Sequence, residues 1–281
     1  MDNQTTIDKI IQEVESAITL DHLILPSAPD SIVRIRQLLD DPDTSNTQLV
    51  QAISSDAALT ARILKVSNSA SYVSRGKIDN LTDAISRIGL KLIKVLVTNH
   101  AMMQIFYPQH GKTSLLIQKV YEHSIEVARL SYAIASTTKY LSVDDALLAG
   151  LVHDIGYLPL LQIVTKYNGI ALDNKKINSL MINEHPRIGA ILLRKWNFPD
   201  NIIDVVENHE HITRTDTGNA DLTDVVRVAD MIMAADRKQF EPHIARAEDI
   251  NTYIRLAIRP ECNMDDFSEY YEKAKTILPD L

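Results

Sequence analysis

Six residues between positions 123 and 230 of the 281-residue chain have the types and spacing to hold a metal ion: His123, the adjacent His153 and Asp154, His185, His209 and Asp230. Neutral imidazole and carboxylate are ligands of hard to borderline divalent cations such as Fe, Mn, Zn, Co or Mg. The one cysteine, Cys262, is not among them, which argues against a structural zinc site. Taken singly, each residue has an ordinary explanation. A lone inward histidine is in most cases a hydrogen-bonded core residue, and His185 could simply open a helix. Asp230 and the His153-Asp154 pair are harder to place, because a buried carboxylate without a partner is costly. Jointly, four inward histidines and two inward aspartates offset that cost by sharing one or two divalent ions.

Helical periodicity turns these side chains inward. A helix over 114–136 carries Leu116, Val120, His123, Val127, Leu130 and Ile134 at steps of three and four. A second starts at Ser142, where Ser142-Val-Asp-Asp145 resembles a capping box with Asp in place of Glu or Gln. It carries Leu147, Leu148, Leu151 and Val152 and ends at His153-Asp154, just before Gly156. A third begins near His185, with Pro186 suited to the first helical position. A fourth starts near Pro199 and runs Ile202, Val206, His209. A fifth carries Leu222, Val226, Asp230 and Met233.

The first half reads as helical too. Leu25-Pro26-Ser27-Ala28-Pro29 is a turn into a helix over 30–40, which Asp41-Pro42-Asp43 stops. A short helix over 47–54 follows, Ser55-Asp56 starts another, and 68–79 is a loop. The next helix runs from Leu81 past Gly89 to about Phe106, and Pro108-Gln109-His110-Gly111 breaks the chain. The expected division is an N-terminal helical subdomain (1–112), a metal-site subdomain (113–240) and closing helices (241–281). No alternating strand pattern persists, so the fold class is all-α, a multi-helix bundle.

Composition narrows the function classes. A net charge of −8 tells against nonspecific nucleic-acid binding. The acidic, amphipathic N-terminus is no signal peptide, and the richest apolar stretch, Leu147–Val164, is interrupted by His153, Asp154 and Gly156, so no membrane span is expected. With a single cysteine, a reducing cytoplasmic setting is expected. Within the stretch 62–94, seven basic residues (Arg62, Lys65, Arg75, Lys77, Arg87, Lys91, Lys94) face two acidic ones (Asp79, Asp83). That stretch is either a solvated helix face or a docking surface for a protein or anionic ligand.

The order His123, His153-Asp154, Asp230 resembles the HD superfamily of metal-dependent phosphohydrolases, and Leu-Leu-Ala-Gly-Leu-Val-His-Asp-Ile-Gly (147–156) is a specific local match. His185 in Glu-His-Pro-Arg-Ile-Gly and His209 in Glu-Asn-His-Glu-His look like the added histidines of binuclear HD-GYP proteins. In the first half, 25–29, Ile-Ser-Ser-Asp-Ala-Ala-Leu-Thr-Ala-Arg-Ile-Leu (53–64), Val-Ser-Asn-Ser-Ala-Ser-Tyr (66–72) and Ala-Ile-Ser-Arg-Ile-Gly (84–89) are similar to an HDOD domain. The match covers about residues 18–235. It implies an HD-like helical bundle and an output role in bacterial signalling. Tyr157 stands where HD-GYP proteins have Lys, and the Gly-Tyr-Pro signature is absent, which tells against a cyclic dinucleotide phosphodiesterase of that type.

Two functions follow from the resemblance. The first is a regulatory output module, standing alone, with a structural or vestigial metal site. The second is a metal-dependent phosphohydrolase acting on a nucleotide or phosphate ester. In it Asp154 and His153 would be catalytic, with Asp154 bridging the ions. Arg187, Arg194, Lys195 and His211 would contact the phosphate or substrate, and His211 or Glu210 would assist proton transfer.

Overall fold

The structure, a computed structural model, describes residues 3–20, 30–72, 76–106, 114–165, 167, 174–210, 218–236 and 247–279, and contains no strand among them. In chain order the helices are α1 (Asn3–Thr19), α2 (Asp30–Asp40), α3 (Asn46–Ser54), α4 (Ala57–Ser67), α5 (Leu81–Phe106), α6 (Ser114–Ser136) and α7 (Val143–Val152). They continue with α8 (Tyr157–Val164), α9 (Asn174–Lys195), α10 (Asp200–Asn208), α11 (Leu222–Asp236), α12 (Ala247–Arg255) and α13 (Ser268–Ile277), the last preceded by a 3-10 turn at Met264–Phe267. The turn at 25–29 lies outside the described residues.

Side-chain caps set several helix starts. Ser45 and Gln48 form a reciprocal capping box at α3. Asp56 Oδ1 accepts from the Leu59 amide, 2.9 Å, at α4. Ser142 Oγ accepts from the Asp145 amide, 3.3 Å, at α7.

The chain divides into two compact units, each built from two separated stretches. The larger holds Met1–Ile24 and Gln109–Phe267, the smaller Leu25–Pro108 and Ser268–Leu281. A linear division near residue 112 is therefore crossed at both ends. Within the larger unit α1 packs on α8 and α9, burying Ile10, Val14 and Ile18. Within the smaller unit α13 joins α4, where Arg62 donates to the Ile277 carbonyl, 2.6 Å. Both associations are long-range and have no local signature.

In the smaller unit the helix expected to pass straight through Gly89 is broken there. Gly89 takes φ 79 and ψ 158, a conformation open to glycine and strained for other residues. Part of the basic stretch is tied within its own unit, since Arg87 donates to the carbonyls of Ser67 (3.3 Å) and Gly76 (3.1 Å) and Lys94 pairs with Asp40, while Lys65, Lys77 and Lys91 are exposed. Arg75 lies outside the described residues.

In the larger unit α6 packs against α7 and α11, α7 against α10 and α11, and α9 against α8 and α10. The stripe expected on α6 begins outside the core, since Leu116 is 51% exposed and Val120 half-buried, while Ile117 and Tyr121 are buried. From Val127 to Ala135 every residue is buried, so periodicity there no longer marks a face. The helix expected to begin at His185 begins at Asn174 instead, with Pro186 inside α9. Proline removes the bond to the Ile182 carbonyl, but Ile182 is exposed and water can take that place. Val143–Val164, of mean hydropathy 1.6, is long and apolar enough to cross a membrane by length and composition, more than its interruptions suggested. Of its window 83% is buried inside the chain, and the turn at 153–156 splits it into α7 and α8.

The turn is held against α9 by the absence of a side chain at Gly156. A Cβ there would stand 2.0 Å from the His185 carbonyl oxygen and 2.6 Å from the Gly189 nitrogen, both backbone atoms. Gly156→Ala is therefore expected to destabilise the chain by at least about 3 kcal/mol, seen as a lower urea midpoint. An unchanged midpoint would show that α8 and α9 separate freely.

Candidate metal centre

All six side chains singled out as ligands converge. His123 comes from α6, His153 and Asp154 from the turn ending α7, His185 from α9, His209 from the end of α10 and Asp230 from α11. His153, Asp154, His185 and His209 are buried, and His123 and Asp230 are part-exposed. His123 Nε2 lies 3.0 Å from Asp230 Oδ1 and 3.7 Å from Asp154 Oδ2. His153 Nε2 lies 3.4 Å from Asp154 Oδ2. The other carboxylate oxygen, Oδ1, lies 3.2 Å from His185 Nε2 and 3.5 Å from His209 Nε2. Asp154 thus presents one oxygen to His123 and His153 and the other to His185 and His209.

Backbone carbonyls fix the tautomers of three of these rings. His153 Nδ1 donates to Gly150 O (2.8 Å), His185 Nδ1 to Met181 O (3.0 Å) and His209 Nδ1 to Val206 O (2.9 Å). A carbonyl has no hydrogen to give, so each Nδ1 carries it, and each neutral ring turns a bare Nε2 lone pair inward. The Nε2 atoms of His185 and His209 then face each other at 3.1 Å. A proton on one ring could reconcile that pair alone, whereas a divalent cation reconciles every contact. Neighbouring ligands around an ion with bonds of about 2.1 Å stand about 3.0–3.4 Å apart, and the His123–Asp230, His153–Asp154, His185–Asp154 and His185–His209 separations fall in that range. In each of three overlapping sets the ligand atoms lie within 4.8 Å of one another: His123, His153 and Asp230; His153, Asp154 and His209; and His185, His209 and Glu210. The donors are nitrogen and oxygen only, a fit to Fe, Mn, Zn, Co or Mg.

The charges follow from the same packing. Burial pushes the His153 imidazole down to about 4, and His209 and His123 push the same way against Asp154. Burial alone would raise Asp154, but the neighbouring imidazoles of His153, His185 and His209 hold it well below the usual carboxylate range. Burial opposes Asp230 likewise, and His123 holds it down. Burial would lower His209, yet its contact with Asp154 raises it.

Sequence reasoning missed other parts of the centre. The Tyr157 ring stacks on His185 at a centroid distance of 4.2 Å and an interplanar angle of 16°. Burial, then Asp154, Glu210 and Asp230, raises its phenol, which keeps its proton. Arg227, one turn before Asp230 on α11, donates to the His209 carbonyl, 3.0 Å, tying α11 to the end of α10. Its position in register with Asp230 was the available signal. Of the residues expected to contact phosphate or substrate, Arg187 bonds to Glu184 (3.0 Å) and Glu15, Arg194 to Glu207, and Lys195 to the Ile18 and Thr19 carbonyls. Charge alone cannot tell such ties from a binding group. His211 lies outside the described residues.

Residues 25–212 match the model of the HDOD domain family. Over 99% of both chains the fold is similar, with a TM-score of 0.76 and 26% identity, to a Shewanella amazonensis protein named "Putative metal-dependent phosphohydrolase". The chain is 22% identical over 216 residues, 74% of its length, to an uncharacterized protein of Treponema pallidum (strain Nichols), and 36% identical over 118 residues, 42% of its length, to ribonuclease Y of Mycoplasma mycoides. It spans only 42% and 23% of those two relatives.

The His153 shift predicts a pH dependence for chain stripped of metal by a chelator. Unfolded histidine protonates near 6.5, whereas His153 in the fold resists protonation until about 4. The unfolded state therefore binds more protons between these values, and stability falls as pH falls through that window. His209, raised in the fold, contributes stability that is already fully present below 6.5, so it adds no slope there. The carboxylates add theirs only below about 4. A loss of roughly 2 kcal/mol is expected between pH 6.5 and 4.5, and a flat series of urea midpoints would contradict the buried, neutral His153.

Proposed function

Because this chain belongs to the HDOD family, we propose that it is a signalling output protein whose larger unit holds one or two divalent metal ions through His123, His153, Asp154, His185, His209 and Asp230. The observation that carries the reading is the convergence of bare Nε2 lone pairs around Asp154, with three rings fixed by carbonyls behind them. Such backing is how ligating histidines are oriented at metal sites. A regulatory role is supported by the ties that occupy Arg187, Arg194 and Lys195, and by Tyr157 in the position after His-Asp-Ile-Gly.

One observation favours hydrolysis of a phosphate ester as a second reading. The six residues that the resemblance implies as ligands meet at one centre, and it opens where the His123, Asp230 and Glu210 side chains are 18%, 31% and 46% exposed. A divalent cation there supplies Lewis acidity toward water and a phosphoryl oxygen. The residues of this chain would hold Asp154 ionised, aim the imidazole Nε2 atoms at the centre and exclude water from the buried side. The names of the Shewanella and Mycoplasma relatives agree with this reading.

Metal content after dialysis, followed by a screen of p-nitrophenyl phosphate and bis-p-nitrophenyl phosphate with Mn2+ or Fe2+, tests both. At least one equivalent of metal per chain is expected, with no turnover. Ion at one hundred times its dissociation constant should add about 3 kcal/mol of stability over chelator-treated protein, and Asp154→Asn should remove that gain. Turnover abolished in Asp154→Asn would instead establish the hydrolase. Absence of any bound ion would sink the metal centre and both readings with it.

A further inference from the structure

The centre has two lobes that share Asp154, and only one of them has a second carboxylate among the six ligands. On the Oδ2 side stand His123, His153 and Asp230. On the Oδ1 side stand His185 and His209, two imidazoles that bring no negative charge. A dication held there by two imidazoles and one shared oxygen would keep most of its charge uncompensated beside buried groups, a costly arrangement. Glu210, the residue after His209, supplies what is missing. Its Oε1 lies 4.0 Å from His185 Nε2, and it forms with His185 and His209 a ligand set within 4.8 Å.

Resting on the metal-centre reading above, we propose that Glu210 is a seventh ligand, completing with His185, His209 and Asp154 Oδ1 the pocket of a second divalent cation. Each lobe then has two histidines, one carboxylate of its own and one oxygen of Asp154. Three carboxylates against two dications leave the pair with one net positive charge, facing solvent on the side of Glu210, whose side chain is 46% exposed. That residual charge suits an anionic group entering from outside. Tyr157, stacked flat on His185, holds the ring that Glu210 faces.

The test is Mn2+ titration of the metal-free full chain by calorimetry, with metal content after gel filtration and electron paramagnetic resonance of the loaded protein. Wild type is expected to hold two ions per chain with a spin-coupled signal. Glu210→Gln is expected to bind one of them at least tenfold more weakly and to give the six-line signal of an isolated Mn2+. Its side chain is near-isosteric and exposed, so the metal-free variant should melt with wild type. Two ions of unchanged affinity in Glu210→Gln overturn the proposal, as does a single ion in wild type whatever the variant does. A wild-type chain that binds no ion overturns the metal-centre reading as well.

Discussion

Three imidazoles whose ring hydrogens are committed to backbone carbonyls leave three lone pairs that must point at something positive. The rest of the larger unit is arranged around that constraint. His153 and His209 sit at the C-caps of α7 and α10, where last-turn carbonyls have no helical amide to accept from. One hydrogen bond at each place therefore both satisfies the helix end and aims the ring. His185 obtains the same orientation inside α9, from the Met181 carbonyl one turn back.

Aimed rings are useful only if the helices carrying them are fixed, and the packing supplies this without side-chain freedom. The residues Ala146–Val152 of α7 are all buried, so the turn at 153–156 leaves a rigid support. Gly156 lets that turn touch the backbone of α9 beside His185. Arg227 joins the carbonyl of one ligand, His209, to the helix of another, Asp230. Asp224, one turn earlier on α11, forms a buried pair with Arg255 of α12, its Oδ2 accepting from Nε at 2.9 Å. Truncating one partner of such a pair is costly because the other charge stays buried.

Much of this was legible in the sequence, for identifiable reasons. Asp56 and Ser142 announce helix starts because a cap is a local bond between residues three apart. His123, His153, Asp154 and Asp230 stand out because polar groups interrupt apolar runs that must be buried. What escaped depends on space rather than on pattern. The break at Gly89 is a choice between two conformations glycine permits equally, and no neighbour in sequence decides it. Pro186 reads as a helix start, yet an exposed Ile182 makes an interior proline tolerable. α1 and α13 pack on partners far along the chain. Glu210 lies in no apolar stripe, so only the convergence of His185 and His209 gives it meaning.

Magnitudes rank what holds the larger unit together. The ion pairs of Arg187 and Arg194 are 44% and 51% exposed on the arginine side, and such pairs contribute at most about 1 kcal/mol each. Burying Asp154 among aligned lone pairs costs more than those ties return, since each desolvated charge carries a penalty of several kcal/mol. The unit therefore carries its largest unfavourable term at its centre, and surface bonds are too weak to offset it. A divalent cation bound there would act on that term directly, by turning the repulsion between His185 and His209 into shared coordination. Binding and folding of this unit would then be linked. The smaller unit, built on caps and on Arg62 and Arg87 bonded to its own carbonyls, has no metal-ligand set of this kind among its described residues.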